Sequence, residues 1–297
     1  MHSGPGHNAP ACFEWSDNLE VNGVKVKKVI EEQEFINGLP ENIRRQVENS
    51  EYNVDNIGLS ASSTILFGDK VLKIQEINEE TENEHAMMEW LNGKLPVPQV
   101  LGFEHQDGKN YLLMSKISGE MACAERYMRQ PKLLTKLLAE ALKMLWNVDI
   151  SACPFRADLD KKLEMARYFV EHDEVDMDNV EPGTFGEGGF KNPKELLEWL
   201  ETHRPEEEMV LTHGDFCLPN IFFDGEKIAG FIDIGKCGMG DKWMDIALCY
   251  RSLMYNFDGV YGGQKYEGFE PEMLFEELGI EPDWEKIHYY ILLDELF

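Results

Sequence analysis

The sequence predicts an α+β fold of two lobes, the first β-rich and the second mainly helical, closing on one cleft. Three observations carry this. The 297 residues are too many for one small domain and suit two lobes around a cleft. Hydrophobic residues make up 43% and aromatics 11%, enough to bury a sizeable core rather than leave the chain disordered. Strand-type runs gather before about residue 117 and helix-type runs after about residue 131, the grouping of an α+β arrangement.

Residues 1–51 are set apart as an N-terminal extension, in which Pro40-Glu41-Asn42 opens a helix running through Arg44, Arg45 and Val47. The run Ile57-Gly58-Leu59-Ser60-Ala61-Ser62-Ser63 is a string of small residues leading into 64–67. Gly68-Asp69 then turns the chain into 70–74, and two β-rich runs around such a turn read as a hairpin. The segment Glu79–Leu91 has helical spacing, with Met87, Met88 and Leu91 three, four and seven residues beyond Glu84. Glu84 therefore falls on the apolar stripe, an odd place for a carboxylate that has no partner. Pro96-Val97-Pro98 ends the helix, and strands are expected at about 99–105 and 111–117, around the turn Gln106-Asp107-Gly108-Lys109. Ser118-Gly119 closes the β-rich half, which assigns 52–117 to the first lobe and 118–297 to the second. Helical patterns follow at about 131–147, 159–172 and 192–203; a β island occupies 209–234, and further helices lie near 242–255 and 283–295.

Charge narrows the partners. Asp and Glu total 56 against 28 Lys and Arg, a formal net charge of -28. Such a field repels nucleic acid and anionic membranes and concentrates cations, so neither of the first two is expected as a partner. Alone, it describes a solvated acidic surface equally well. The six cysteines (Cys12, Cys123, Cys153, Cys217, Cys237 and Cys249) contain no CxxC spacing and are read as reduced thiols. No apolar leader stands behind a basic start, and no run is long enough to cross a bilayer, so the expected location is cytoplasmic.

The chemistry concentrates in 211–235. Two short apolar strands, 221–223 and 228–232, flank the turn Asp224-Gly225, and the polar loops beside them hold Asp215, Asn220 and Asp233. Two carboxylates and an amide at one end of a hairpin are what phosphoryl transfer needs. One carboxylate orients and deprotonates a hydroxyl, while the other, with the amide oxygen, holds magnesium on the phosphates. An ordinary hairpin with turn-forming Asp and Asn explains Asp224-Gly225; it leaves the spacing of the other three unexplained.

These residues resemble a known family. His213-Gly214-Asp215-Phe216-Cys217-Leu218-Pro219-Asn220 is similar to the H-G-D-x-x-x-x-N loop of the aminoglycoside phosphotransferases, and Asp233-Ile234-Gly235 to their D-x-G metal turn. With Gly240-Asp241-Lys242-Trp243-Met244-Asp245-Ile246-Ala247 and the ending Leu293-Asp294-Glu295-Leu296-Phe297, the likeness is greatest to the 3′-phosphotransferases, over about residues 53–297. It implies a protein-kinase-like fold, ATP (with GTP as the alternative) and Mg²⁺ as cofactors, and an aminoglycoside as substrate. It also implies roles: Asp215 the catalytic base, Asn220 and Asp233 the magnesium ligands, and His213 a buttress for the loop. Lys73, on the hydrophobic strand Val71-Leu72-Lys73-Ile74, would reach the α- and β-phosphates with Glu84 holding it in place, which accounts for the inward carboxylate. Ser60 matches a phosphate-contacting serine, and backbone groups of Ser115 and Ile117 in the linker Met114-Ser115-Lys116-Ile117 would meet the purine edge. Asp294, Glu295 and the α-carboxylate of Phe297 would bind drug amines; three negative groups at a helix C-terminus oppose the macrodipole and each other, and a bound polyamine would relieve them. Lys236 stands where an arginine can occur and would face phosphate, and Glu187 is the candidate drug contact in the Gly-rich loop 181–190.

Departures from the pattern bear on specificity. Val71 replaces an adenine-stacking aromatic of some relatives, and the Gly- and aromatic-rich stretch 256–270 is longer than its counterpart. Three functions therefore compete: an aminoglycoside 3′-phosphotransferase, a kinase of another small cationic or sugar metabolite on the same fold, and a non-catalytic nucleotide- or antibiotic-binding protein. The second leaves the acidic terminus without a purpose. The third is disfavoured because every catalytic position holds a competent residue.

Overall fold

The computed structural model describes residues 34–55, 63–260 and 263–297. Five antiparallel strands come first: β1 (Asn53–Asp55), β2 (Ser63–Phe67), β3 (Lys70–Glu76), β4 (Val100–Gln106) and β5 (Lys109–Ser115), ordered β1-β2-β3-β5-β4. The Gly68-Asp69 turn makes the expected hairpin, with Phe67 opposite Lys70. Register then sorts the side chains. Ile65, Leu72 and Leu113 lie directly across from one another and are all buried. They form a small core with Ile43 and Val47 of the helix Glu41–Val47, which lies within the stretch set apart as an extension. The two-residue side-chain period puts their neighbours Lys73 and Leu112 on the opposite face. There Leu112 and Met114 join the large core with Met87, Met88 and Leu91.

The helix Glu79–Leu91 starts where the sequence places it because Asn78 caps it. The Asn78 side chain accepts from the Thr81 N–H at 2.9 Å, and the Thr81 hydroxyl accepts from the Asn78 N–H at 3.1 Å. Glu79, Glu80 and Glu82 in its first turn suit the positive end of the helix dipole. Asn83 on the same helix donates to the carbonyls of Gly235 (2.7 Å) and Cys237 (2.9 Å), tying the sheet-side helix to the loops of the second half.

Beyond Ser115 the chain is mostly helical. Helices Pro131–Trp146, Leu159–Glu171, Pro193–Thr202, Lys242–Asp258 and Trp284–Asp294 lie close to their expected places. Three short strands form a second sheet: β6 (Glu120–Met121), β8 (Ile221–Asp224) and β9 (Lys227–Phe231). β7 (Met209–Thr212) pairs with β10 (Gly238–Asp241). Sequence reading missed β10, whose Gly-Met-Gly-Asp has no strand character. It is a strand because it pairs with β7 while its glycines lie against Ala157; a Cβ on Gly240 would meet the Ala157 carbonyl oxygen at 2.7 Å. The short helices Glu125–Met128 and Glu272–Leu278 were also missed, each only about two turns or fewer of weak pattern.

Cys153, Cys217, Cys237 and Cys249 are free thiols, as expected, whereas Cys123 is disulfide-bonded, against that expectation. Among the described residues no helix is long and apolar enough to cross a membrane.

Candidate active site

A cavity of about 530 Å³ opens between the five-stranded sheet and the helical half. It brings together Lys73, Glu84, Asp215, Asn220, Asp233 and Lys236, residues up to 163 positions apart in sequence, and its sheet-side wall includes Met114, Ser115 and Ile117. Ser60 lies outside the described residues.

Lys73 projects from β3 into this space. Its ammonium lies 2.6 Å from Glu84 Oε1 and also contacts Asp233 Oδ1. Burial alone would lower the lysine's pKa, but the two carboxylates outweigh it and hold it above the ordinary value. Glu84, 3% exposed, is thus the partnered carboxylate that its place on the apolar stripe demanded. Asp233 shows the converse balance. Burial would raise its pKa, but Lys73 and then His213 and Lys236 bring it below the usual value, so it stays ionised. Its backbone is left-handed (φ 55°, ψ 50°), a conformation a non-glycine residue rarely adopts, at the entry to the turn Ile234–Lys236.

The loop carrying Asp215 is held from below. Asp245, buried on helix Lys242–Asp258, accepts the N–H groups of His213 (2.7 Å) and Gly214 (3.0 Å). Burial pushes Asp245 up to about 7, against the pull of those two bonds. His213, fully buried, has Nε2 3.0 Å from the Ile232 carbonyl, and its Nδ1 accepts the Asp215 N–H at 3.3 Å. Burial lowers its pKa, so the ring is neutral with its proton on Nε2 and serves as a brace between loop and turn. The Asp215 carboxylate accepts from the Cys217 thiol (3.0 Å, on Oδ1) and the Asn220 amide (3.0 Å, on Oδ2). Because the Asn220 nitrogen also donates to the Asp215 carbonyl at 3.0 Å, the amide is fixed one way round. Its carbonyl oxygen has no protein partner among the described residues. Asn220 Oδ1 and the Asp233 carboxylate are therefore oxygen donors of the kind magnesium takes when it keeps several waters and phosphates. Among the described residues no cluster of three His, Cys, Asp or Glu offers an all-protein metal cage.

The acidic terminus is organised differently from the expectation. Repulsion there already has an internal counter-charge: Arg251, on the neighbouring helix, contacts Asp294 and lies 3.4 Å from Glu295 and 3.6 Å from Glu181. Burial raises the Asp294 pKa, but Arg251 and Lys236 overcome this and keep it ionised. Glu295 is buried, and its Oε2 accepts the Glu181 N–H at 2.6 Å, strapping the loop that begins there onto the last helix. Glu187 is exposed on that loop and no described contact joins it to the cavity. Glu181 is the loop residue that joins the terminal acids, a role sequence reading missed. Phe297 packs edge-on to Phe169. Asp245, Cys217 and Arg251 were likewise unassigned from sequence; Asp245 and Cys217 each stand inside a quoted segment, without a role given to them there.

Glu295 supplies a pH expectation. Burial, with Glu181 and Asp294 adding, pushes its pKa from 4.5 up to about 7. The folded protein then holds this proton longer than the unfolded chain, so the contribution to stability is full below about pH 4.5 and is lost as pH rises through about 7. Glu295→Gln removes that loss. The variant's thermal midpoint, relative to the unsubstituted protein, should become more favourable from about pH 5 to about pH 8. A difference constant across that range would contradict the titration.

Comparison with known proteins follows the same lines. Residues 55–288 match the model of the phosphotransferase enzyme family. An aminoglycoside 3′-phosphotransferase of Enterococcus faecalis is 46% identical over 222 residues, covering 73% of this chain and 79% of that protein. Among solved structures, the aminoglycoside phosphotransferase APH(3″)-Id of Streptomyces rimosus superposes with a TM-score of 0.72 at 24% identity, covering 86% of this chain and 96% of that one. A choline/ethanolamine kinase family protein of Mesorhizobium loti reaches 0.57 at 17% identity, covering 90% and 83%. The two structural likenesses establish the two-lobed, kinase-like fold and leave the acceptor open.

Proposed function

We propose, because the chain belongs to the aminoglycoside phosphotransferase family, that it transfers the γ-phosphoryl group of ATP to the 3′-hydroxyl of an aminoglycoside, the modification that confers resistance to the drug. The observation that carries this reading is the Asp215 carboxylate, fixed by Cys217 and Asn220 within one cavity that also holds Lys73, Glu84 and Asp233.

The nucleotide occupies that cavity, with residues 52–117 as its lobe and 118–297 as the lobe of catalysis and acceptor. Since the Ser115 N–H is taken by the Gln99 carbonyl at 2.9 Å, the purine edge is met by the Ser115 carbonyl and by the Ile117 N–H. Lys73, steered by Glu84, neutralises the α- and β-phosphates, and the sequence likeness assigns Ser60 to the same phosphates. Asn220 Oδ1 and Asp233 would hold Mg²⁺, which when bound neutralises charge on the β- and γ-phosphates. Lys236 faces the group in transit. Asp215 accepts a hydrogen bond from the drug hydroxyl, aligns the oxygen on phosphorus and takes its proton as transfer proceeds. Most of the acceleration comes from positioning and fixed charge rather than covalent chemistry.

On the acceptor side the drug's ammonium groups meet Asp294, Glu295 and the α-carboxylate of Phe297, with Glu187 the outermost contact. The ionised state of Asp294 supports this, and the net charge of -28 draws the polycation in. We assign the enzyme to the cytoplasm, where ATP is supplied.

ATP-dependent turnover of kanamycin beside tobramycin, which lacks the 3′-hydroxyl, tests the reading. Kanamycin should be phosphorylated and tobramycin spared. Equal turnover of both would overturn the 3′ assignment.

A further inference from the structure

Beside the turn Ile234–Lys236 lies a second, small cavity of about 60 Å³, which shares Glu80, Gly235 and Lys236 with the large one. Lys161, Lys162, Lys236, Glu80 and Asn83 are among the residues lining it, and Lys236 alone of the three lysines also lines the large cavity. Lys162 comes from the helix Leu159–Glu171 and is 6% exposed. Its backbone N–H donates to the Asp158 carbonyl, but among the described residues its ammonium has no ion pair and no hydrogen bond. The ring of Phe297 lies 5.3 Å from its ammonium. A buried ammonium without a partner is costly, and fully buried lysines are almost always paired.

Its surroundings explain the arrangement. Burial, and next the charge of Lys236, push Lys162 down to about 8, against the opposite pull of Asp294, Glu80 and Asp245. Lys236 is itself encircled by Asp215, Asp294 and Glu80, which lift its pKa above the ordinary value in spite of burial. Yet among the described residues Lys236 pairs with none of them. Arg251 already occupies Asp294, and of the other cations lining the small cavity Lys161 is paired with Glu79 and Arg156 with Asp158. The unpaired like charge that shares this cavity with Lys236 is Lys162.

We propose that Lys162 is a positioning residue that keeps Lys236 off Asp294 and Glu80 and directed into the nucleotide cavity, where the transferring phosphoryl group arrives. This rests on the phosphotransferase reading given above. Without the Lys162 charge, Lys236 would fold back onto Asp294, leaving the phosphoryl group without its cation and neutralising a carboxylate assigned to the drug.

Two substitutions in the full-length protein test it: Lys162→Met, which keeps length and removes charge, and Lys162→Arg, which keeps charge. Lys162→Met should lower kcat on kanamycin roughly tenfold, less than the loss from deleting a direct transition-state donor, because Lys162 acts through another group. Its thermal midpoint should hold or rise, since a desolvated, unpaired charge has been removed. Lys162→Arg should keep kcat within about threefold. A Met variant with unsubstituted kcat would overturn the proposal. So would a Met variant whose lower kcat comes with a matching fall in thermal midpoint, the mark of a merely structural lysine. If the unsubstituted protein phosphorylates no aminoglycoside, the proposed activity fails by itself. The same comparison is then made on intrinsic ATP hydrolysis, where a slowed Met variant and an intact Arg variant support the proposal and equal rates overturn it.

Discussion

Asp215→Ala should abolish turnover while ATP still binds. The expected loss in kcat is about 10²- to 10⁴-fold, the range that a positioned proton acceptor contributes. Nucleotide affinity should change little, because the phosphates are assigned to Lys73, Asn220 and Asp233, none of which takes its position from the Asp215 carboxylate alone. Asn220 is the exception in part: its amide donates to both the Asp215 carbonyl and the carboxylate, and only the second bond disappears. Asp215→Asn therefore makes the sharper comparison. It keeps the side chain's size and one acceptor oxygen, enough for the Cys217 thiol or the Asn220 amide but not both, and it cannot take a proton, so its kcat should fall nearly as far as that of the Ala variant. Steady-state kinetics with ATP titration separates the two effects. An Asn variant within tenfold of normal kcat would show that orientation, rather than proton acceptance, is what Asp215 supplies.

Gly214→Ala should damage both stability and activity, for a reason confined to the backbone. Gly214 has φ +83°, and a Cβ there would stand 2.2 Å from the Lys236 carbonyl oxygen. Either the loop or the turn must move. The left-handed conformation alone costs an alanine on the order of 1–3 kcal/mol. For a chain of this size that predicts a drop in thermal midpoint of several degrees, at about 2–4 °C per kcal/mol. Activity should fall further than stability suggests, because the two segments forced apart carry Asp215 on one side and Asp233 and Lys236 on the other. A displacement of about 1 Å in such a site is worth about 100-fold. An alanine variant with normal kcat would contradict the close packing of loop on turn.

The parts of the site legible in the sequence were those set by local spacing. Asp215 and Asn220 share one loop, Asp233 ends the next strand, and the helical stripe through Met87, Met88 and Leu91 placed Glu84 inward before any partner was visible. Lys73 followed from the family likeness, on a hydrophobic strand placed ahead of the helix that carries Glu84. The parts that stayed hidden depend on pairings between distant segments. Three acids near the chain end suggested unrelieved repulsion, because nothing in their own helix opposes them. The cation that does so, Arg251, lies 43 residues before Asp294 on a helix packed alongside. Asp245 reads as one acid among 56 until its two bonds to the His213 and Gly214 amides are seen. β10 has no strand propensity to detect, being made by its pairing with β7. Lys162 carries no local signal at all; its burial is a property of the packed assembly.

The central claim is regiospecific: a ring hydroxyl at the 3′ position is delivered to Asp215 by carboxylates that hold the drug's amines. The most direct measurement is the position of the phosphate on kanamycin after reaction with ATP and Mg²⁺, read by phosphorus–proton correlation in the NMR spectrum of the purified product. The account predicts one product, with phosphorus coupled to the 3′ proton. Phosphate on any other hydroxyl, or no phosphorylated kanamycin from active enzyme, would contradict it.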